Sequence, residues 1–230
     1  LPQCHKDLGL QVHHSNLCSE ITLATVKDRT AVCCLSSVNL EYYDQWKHTN
    51  MVKDLVTMLD NVLEYFIENA PDSLSRAVYS AKQERSIGVG AMGFHNLLQS
   101  RMIPFESNDA SKLNIEIFDY IKTEAKEVSN SLAHSRGSAP DMSPSMIRHS
   151  HLLAIAPNAS SGILLSTSPS IEPNKANAYT HRTRAGSFLV KNKYLEKYLD
   201  KIKHNTSEVW ANIITNGGSV QHLPFLEDNI

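Results

Sequence analysis

Runs of β-prone residues alternating with long amphipathic helices predict an α/β chain with largely parallel strands. Two observations carry this. Short apolar runs occur at 21–27 (ITLATVK), 31–38 (AVCCLSSV), 152–156 (LLAIA) and 186–190 (GSFLV). Between them, apolar residues recur at spacings of three and four, the signature of a helix with one buried face. In order, the first two runs are separated by a turn-like Asp28-Arg29 break. A helix is predicted over 44–69 from Val52, Leu55, Val56, Leu59, Val62, Leu63 and Phe66, and Pro71-Asp72 stop it. Residues 73–81 form a short irregular or helical bridge. Residues 86–95 lead into a helix reaching about Gln99. A long helix starts at Ser107 or Asn108, which are good caps, and carries the stripe Leu113, Ile117, Tyr120, Ile121 and Ala125. It fades at Arg136-Gly137. Residues 152–156 read as a buried strand feeding a loop at 157–162, 186–190 as another strand, and 193–203 as a helix. A short helix around Trp210 precedes a turn at Asn216-Gly217-Gly218. Four or five such strands would leave exposed sheet edges, which a half-barrel completed by another polypeptide would resolve.

The 230 residues accommodate one large domain or two small ones, with no internal repeat. Hydrophobic content of 41% and a formal charge of −2 are those of an ordinary folded chain, without a broad electrostatic case for nucleic acid or membrane binding. No apolar run approaches the roughly 18 residues of a membrane span, and no signal peptide opens the sequence. Cys4, Cys18, Cys33 and Cys34 are too few and too uneven for a secreted disulfide framework, so a reducing cytoplasm with functional thiols is expected. The chain starts at Leu1, which suggests a fragment or one piece of a split protein.

Asn16-Leu17-Cys18-Ser19-Glu20 places an amide, a thiol and a carboxylate at alternate positions. In extended or looped backbone these three project to one side and could converge on one small polar ligand. Glu20 would then be a general base, and Cys18 a nucleophile or a one-electron sulfur reagent. A lone loop Cys is more often structural, and the residues alone leave both chemistries open. The second motif is Ala156-Pro157-Asn158-Ala159-Ser160-Ser161-Gly162, followed by Thr167-Ser168-Pro169-Ser170-Ile171-Glu172-Pro173. A loop entering a helix with hydroxyls at its mouth suits a phosphate, although an ordinary helix cap is the commoner reading. Gly88, Gly90 and Gly93 mimic a dinucleotide fingerprint but lack its strand and acidic partner, so close helix packing explains them better. His13-His14, His149-x-His151 and Cys4-His5 fit no zinc spacing, and no metal site is assigned. Tyr42-Tyr43 is read as packing or surface.

The stretches Ser15-Asn16-Leu17-Cys18-Ser19-Glu20-Ile21, Ala31-Val32-Cys33-Cys34-Leu35-Ser36, Arg85-Ser86-Ile87-Gly88-Val89-Gly90-Ala91-Met92-Gly93-Phe94 and the 156–173 segment occur in one order. Together with Asn177-Ala178-Tyr179-Thr180 and Gly186-Ser187-Phe188 they resemble the catalytic large subunit of class I ribonucleotide reductase, in a form seen in bacteria and phages. The resemblance runs from about residue 13 to about 226. It implies part of a ten-stranded α/β barrel with a central finger loop at about 13–21, and the whole of 1–230 as a segment from the second half of that barrel.

The resemblance further implies radical reduction of ribonucleoside diphosphates for DNA synthesis. Cys18 would be the thiyl radical site, Glu20 the base for the 3′-hydroxyl, Asn16 a holder of the substrate hydroxyls, and Cys33 one of the redox dithiol pair. Ser15, Pro157, Asn158, Ala159, Ser160 and Ser161 would bind substrate, the loop holding the diphosphate through its hydroxyls and the backbone N–H groups from Asn158 onward. Cys34 would face away from Cys33 as a small buried apolar residue. No cofactor is expected on this chain. The radical would come from an iron or manganese centre in a separate small subunit, and external reducing power from thioredoxin or glutaredoxin. The other reducing Cys, the nucleotide-effector (ATP-binding) sites, the tyrosine pair and the Cys-bearing tail of the family are not in these residues. A companion fragment carrying the N-terminal barrel half is therefore expected. The rival readings are a cobalamin-dependent or glycyl-radical reductase, or a non-catalytic nucleotide-binding fragment.

Overall fold

A parallel βαβ unit forms the centre of the computed structural model, which describes residues 6–13, 15–143, 145–184 and 186–226. β1 (Cys34–Asn39) and β2 (Ile87–Met92) pair in parallel, with Cys34 opposite Ile87 and Asn39 opposite Met92. Parallel strands need a crossover, supplied here by α1 (Tyr43–Trp46), α2 (Met51–Asn69) and α3 (Ser75–Glu84). The expected 44–69 helix is interrupted because the Thr49 hydroxyl bonds the Trp46 carbonyl (2.7 Å) and the chain restarts from Asn50. The predicted bridge at 73–81 is a 3-10 turn, Asp72–Leu74, followed by α3, which ends at Arg85 in the left-handed region (φ 45°).

All six residues of β2 are buried, although the sequence suggested only a glycine-rich lead-in. Its glycines answer to strand packing, not helix packing. A Cβ at Gly88 would lie 2.4 Å from Leu35 Cδ2, and one at Gly90 would lie 2.5 Å from the Ala154 carbonyl oxygen. α4 (Phe94–Ser100) and α5 (Asn108–Arg136) follow. The Ser107 side chain caps α5 by accepting the Ala110 N–H (3.1 Å), as the sequence predicts. Residues 152–156 run beside β2 but make only one parallel bridge, Val89 to Leu153. Residues 21–27 are not a strand. Ile21 and Leu23 are apolar because they pack on Ala154, alongside Cys33 and Leu35, and the segment's only bridge closes the turn from Val26 to Arg29.

After α6 (Ala159–Leu164), an antiparallel hairpin of β3 (Ala178–Thr183) and β4 (Gly186–Lys191) departs from the parallel plan. β3 was not foreseen. α7 (Lys193–Lys201) and α8 (Ser207–Thr215) close the described structure. They share a second core with Ala178, built on Leu195, Leu199, Trp210 and Ile213.

One buried charge cluster ties the central unit together. Asp60 on α2 is fully buried and accepts from Arg85 (2.8 Å), Arg136 (2.7 Å), Arg148 (2.8 Å) and His149 (3.2 Å). Burial alone would raise this carboxyl, but the bonds from His149, Arg148 and Arg85 outweigh it and hold it well below the usual range. His149 is driven down by burial, against the pull of Asp60. Its Nε2–H therefore serves Asp60, while Nδ1 accepts from the Ser129 hydroxyl (2.9 Å). The cluster fixes residues 148–149, from which the chain enters 152–156.

Candidate active site

Of the extended and looped alternatives, residues 16–21 take the looped one, a tight turn. The Ser19 N–H bonds the Asn16 carbonyl (3.1 Å) and Ser19 takes φ 60°. The Asn16 side-chain oxygen accepts the Ile21 N–H (3.2 Å), and the Asn16 N–H reaches the Ile21 carbonyl (3.4 Å). The Ser15 hydroxyl bonds the Asn16 carbonyl (3.0 Å). The turn puts Leu17, 99% exposed, and the exposed thiol of Cys18 at a protruding tip. Glu20 sits at the base, where its Oε2 is buried with no hydrogen-bond partner. A buried carboxylate oxygen left unsatisfied is costly, and such atoms ask for a reason.

Cys33 lies immediately before β1, one residue short of the ladder. It packs on the Ile21, Leu23 and Ala154 cluster, whereas Cys34 packs on the main core. The two thiols therefore diverge, and both are free, as is Cys18. Cys4 lies outside the described residues. Burial pushes the Cys33 thiol up to about 11, helped by Cys34 and by the carboxylates of Glu20 and Glu84. Glu20 is thus an electrostatic neighbour of Cys33. Burial also raises Cys34.

The 157–161 loop stands at the carboxyl ends of β1 and β2, the end at which parallel α/β sheets take ligands. Asn158 (φ 54°) holds it there. Its amide donates to Ser37 Oγ (2.8 Å), the Ala156 carbonyl (2.9 Å) and the Ala91 carbonyl (3.3 Å). The side chain is thus committed to the scaffold. Asn158 also occupies the cap position of α6 without a side-chain cap bond, so the serines are not the caps the plain reading assigned. The first bond inside α6 runs from the Gly162 N–H to the Asn158 carbonyl (2.7 Å), so the N–H groups of 159–161 precede it. Pro157, Ala159 and Ser160 are exposed and Ser161 is half-buried.

The structure joins the base of the 16–21 turn to Cys33 and joins the 157–161 loop to the strand ends. One cavity of about 90 Å³ lies among His95, Phe105, Asn177 and Tyr194, and one of about 280 Å³ among Lys122, Lys126, His149 and Leu153. Neither is lined by residues 15–20 or 157–161. Among the described residues no group of three or more His, Cys, Asp or Glu could hold a metal ion, and no helix is long and apolar enough to cross a membrane. Two buried carboxylates, Asp60 and Glu41, organise the surroundings and carried no sequence signal, because their partners are distant in the chain.

The chain matches the family described as "Ribonucleotide reductase, barrel domain" over residues 3–147 and 145–230. It belongs to that family. It is 49% identical over 228 residues to the ribonucleoside-diphosphate reductase large subunit of Invertebrate iridescent virus 3, covering 97% of this chain and 36% of that protein. The corresponding protein of Invertebrate iridescent virus 6 is 52% identical over 211 residues, covering 90% of this chain and 22% of its own length. Among solved structures, the Actinobacillus ureae class Id ribonucleotide reductase alpha subunit superposes with a TM-score of 0.91 at 39% identity, over 99% of this chain and 42% of that one. The chain therefore spans well under half the length of these relatives. Its βαβ unit and the 152–156 segment are part of the reductase α/β barrel. Residues 16–21 and the 157–161 loop both lie within the matched residues.

Proposed function

We propose that this chain is the segment of a ribonucleoside-diphosphate reductase large subunit that carries the radical cysteine and the diphosphate-binding loop. In this reading the Cys18 thiyl radical takes the 3′ hydrogen of the ribose, forming S–H and leaving a carbon radical. Glu20 accepts the 3′-hydroxyl proton while a thiol of the reducing pair donates the proton with which the 2′-hydroxyl departs as water, and the Cys18 S–H finally returns its hydrogen to the 3′ carbon, regenerating the thiyl radical. Asn16 and Ser15 face the sugar hydroxyls. Cys33 and a second thiol from elsewhere in the subunit supply two electrons and close a disulfide. The diphosphate lies against the N–H groups of Ala159, Ser160 and Ser161, with Pro157 and Asn158 shaping the loop.

The observation that carries this reading is the unpartnered, buried oxygen of Glu20 beside Cys33. A carboxylate placed so has no structural bond to keep at that oxygen and is available to a substrate proton. With its pKa near 11, Cys33 is a neutral thiol at physiological pH, which suits a hydrogen donor better than a metal ligand. The radical arrives from a separate small subunit, a reading that the class I relative supports, and an iron or manganese centre there would generate it. Thioredoxin or glutaredoxin would restore the dithiol, in a reducing compartment such as the cytoplasm.

The second reading is a barrel half that works only with a companion chain. The exposure of Cys18 and of the 157–161 loop favours it, since a radical site needs walls this segment does not supply. The test is Cys18→Ala in the complete large subunit, assembled with its small subunit and assayed with each of the four ribonucleoside diphosphates. Deoxynucleotide formation should vanish while substrate still binds. Turnover retained by the alanine variant would refute the assignment.

A further inference from the structure

Glu41 follows β1 in the 3-10 turn Leu40–Tyr42, and its side chain is only 7% exposed. Its carboxylate gathers four donors: Asn96 Nδ2 (3.0 Å), Thr167 Oγ1 (2.8 Å), Tyr194 OH (2.7 Å) and Lys193 Nζ (2.5 Å). Burial alone would raise this carboxyl, but the bonds from Asn96, Lys193, Tyr194 and Thr167 hold it below its usual value, so it stays ionised. The donors come from α4, from the segment just after α6, and from the start of α7. Lys193 also donates to the Ser166 carbonyl (2.9 Å), and the Thr167 N–H returns to the Gly162 carbonyl (2.9 Å).

The stretch from Asn158 to Thr167 is therefore pinned at its two ends, by the Asn158 amide at one and by Glu41 at the other. Between them α6 has little packing of its own: Ile163, Leu164 and Leu165 are 61%, 83% and 49% exposed. A segment with few buried contacts moves when a tether is released, while the core around it stays folded.

We propose that Glu41 is a positioning residue for the substrate's diphosphate, holding the 157–161 loop in register with the strand ends through Thr167. The inference rests on the reading that this loop receives the diphosphate. Glu41→Gln keeps the size but removes the charge that holds Lys193 and Tyr194. Thr167→Val removes one tether, and Thr167→Ser restores the hydroxyl.

The experiment uses the complete large subunit with its small subunit, measuring KM, kcat, inhibition by inorganic pyrophosphate and thermal midpoint. Glu41→Gln and Thr167→Val should each raise KM and weaken pyrophosphate inhibition about tenfold, the loss expected for a charge-assisted bond. The kcat should stay within about twofold, and Thr167→Ser should recover wild-type KM. A fall in thermal midpoint with KM and pyrophosphate inhibition unchanged would overturn the proposal. Ser160→Asp separates the two readings, since it places a negative charge within the loop itself. If Ser160→Asp leaves KM unchanged, the diphosphate lies elsewhere and the Glu41 assignment falls with the loop. If Ser160→Asp raises KM while the Glu41 and Thr167 variants do not, only the Glu41 assignment falls.

Discussion

Replacing Asp60 with Asn keeps the shape of the side chain and removes the one charge on which Arg85, Arg136, Arg148 and His149 converge. Arg85 and Arg148 are nearly buried, at 8% and 6% side-chain exposure, and would keep, besides backbone carbonyls, the carboxylate of the partly exposed Glu64 at 2.7 and 3.6 Å. Leaving buried charges uncompensated costs about 3–5 kcal/mol, more than the net worth of any single bond in the cluster. For a chain of this size each kcal/mol lowers the melting point by about 2–4 °C, so the drop should be roughly 6–20 °C. Asp109→Asn, which breaks the solvent-exposed pair with Lys112, should shift it far less. The same cluster predicts a pH dependence. Its carboxyl is depressed below the unfolded value of 3.8, so its contribution is complete above that value and is lost as pH falls through the folded one. Urea unfolding from pH 7 down to pH 3 would show the wild type losing stability at the acid end and the Asn variant changing less. A variant within about 1 kcal/mol of wild type at pH 7 would refute the hub.

Cys33 should resist alkylation at pH 7.5, since with a pKa near 11 its thiolate fraction is on the order of 0.1% or less. Mass spectrometry after iodoacetamide should find the exposed Cys18 modified first, and Cys33 catching up as the pH approaches 11. Gly90→Ala would place a methyl 2.5 Å from the Ala154 carbonyl oxygen and 2.9 Å from Ser37 Oγ, and should cost about 1–3 kcal/mol in urea unfolding. Asn158→Ala releases the loop from Ser37 and Ala91 and gives up a left-handed position that Asn tolerates. KM for the diphosphate should rise about tenfold with kcat little changed, checked by steady-state kinetics of the complete subunit.

The long helices were legible because their signals are local. Ser107 announces α5 by its own hydroxyl, and the stripe from Leu113 to Ala125 is a single-face pattern. β2 was not legible, because Gly88 and Gly90 are the residues that weaken a strand reading. They are needed only because Leu35 and Ala154 press on them from elsewhere in the chain. Residues 21–27 misled for the converse reason, since they are apolar to fill a small cluster and not to join a ladder. The residue types of the 16–20 stretch were legible, but its turn depends on Asn16 bonding back to Ile21, which period-two reasoning does not anticipate. Asp60 and Glu41 were invisible because their partners lie as far as 89 and 153 residues away.

The most direct test is the rate of ribonucleoside diphosphate reduction by the complete large subunit carrying Glu20→Gln, assembled with its small subunit. Loss of a positioned general base should lower kcat by roughly 10²–10⁴ with substrate affinity retained. A variant that turns over at the wild-type rate would show that the buried oxygen beside Cys33 takes no proton, and the chemistry assigned to this segment would have to be abandoned.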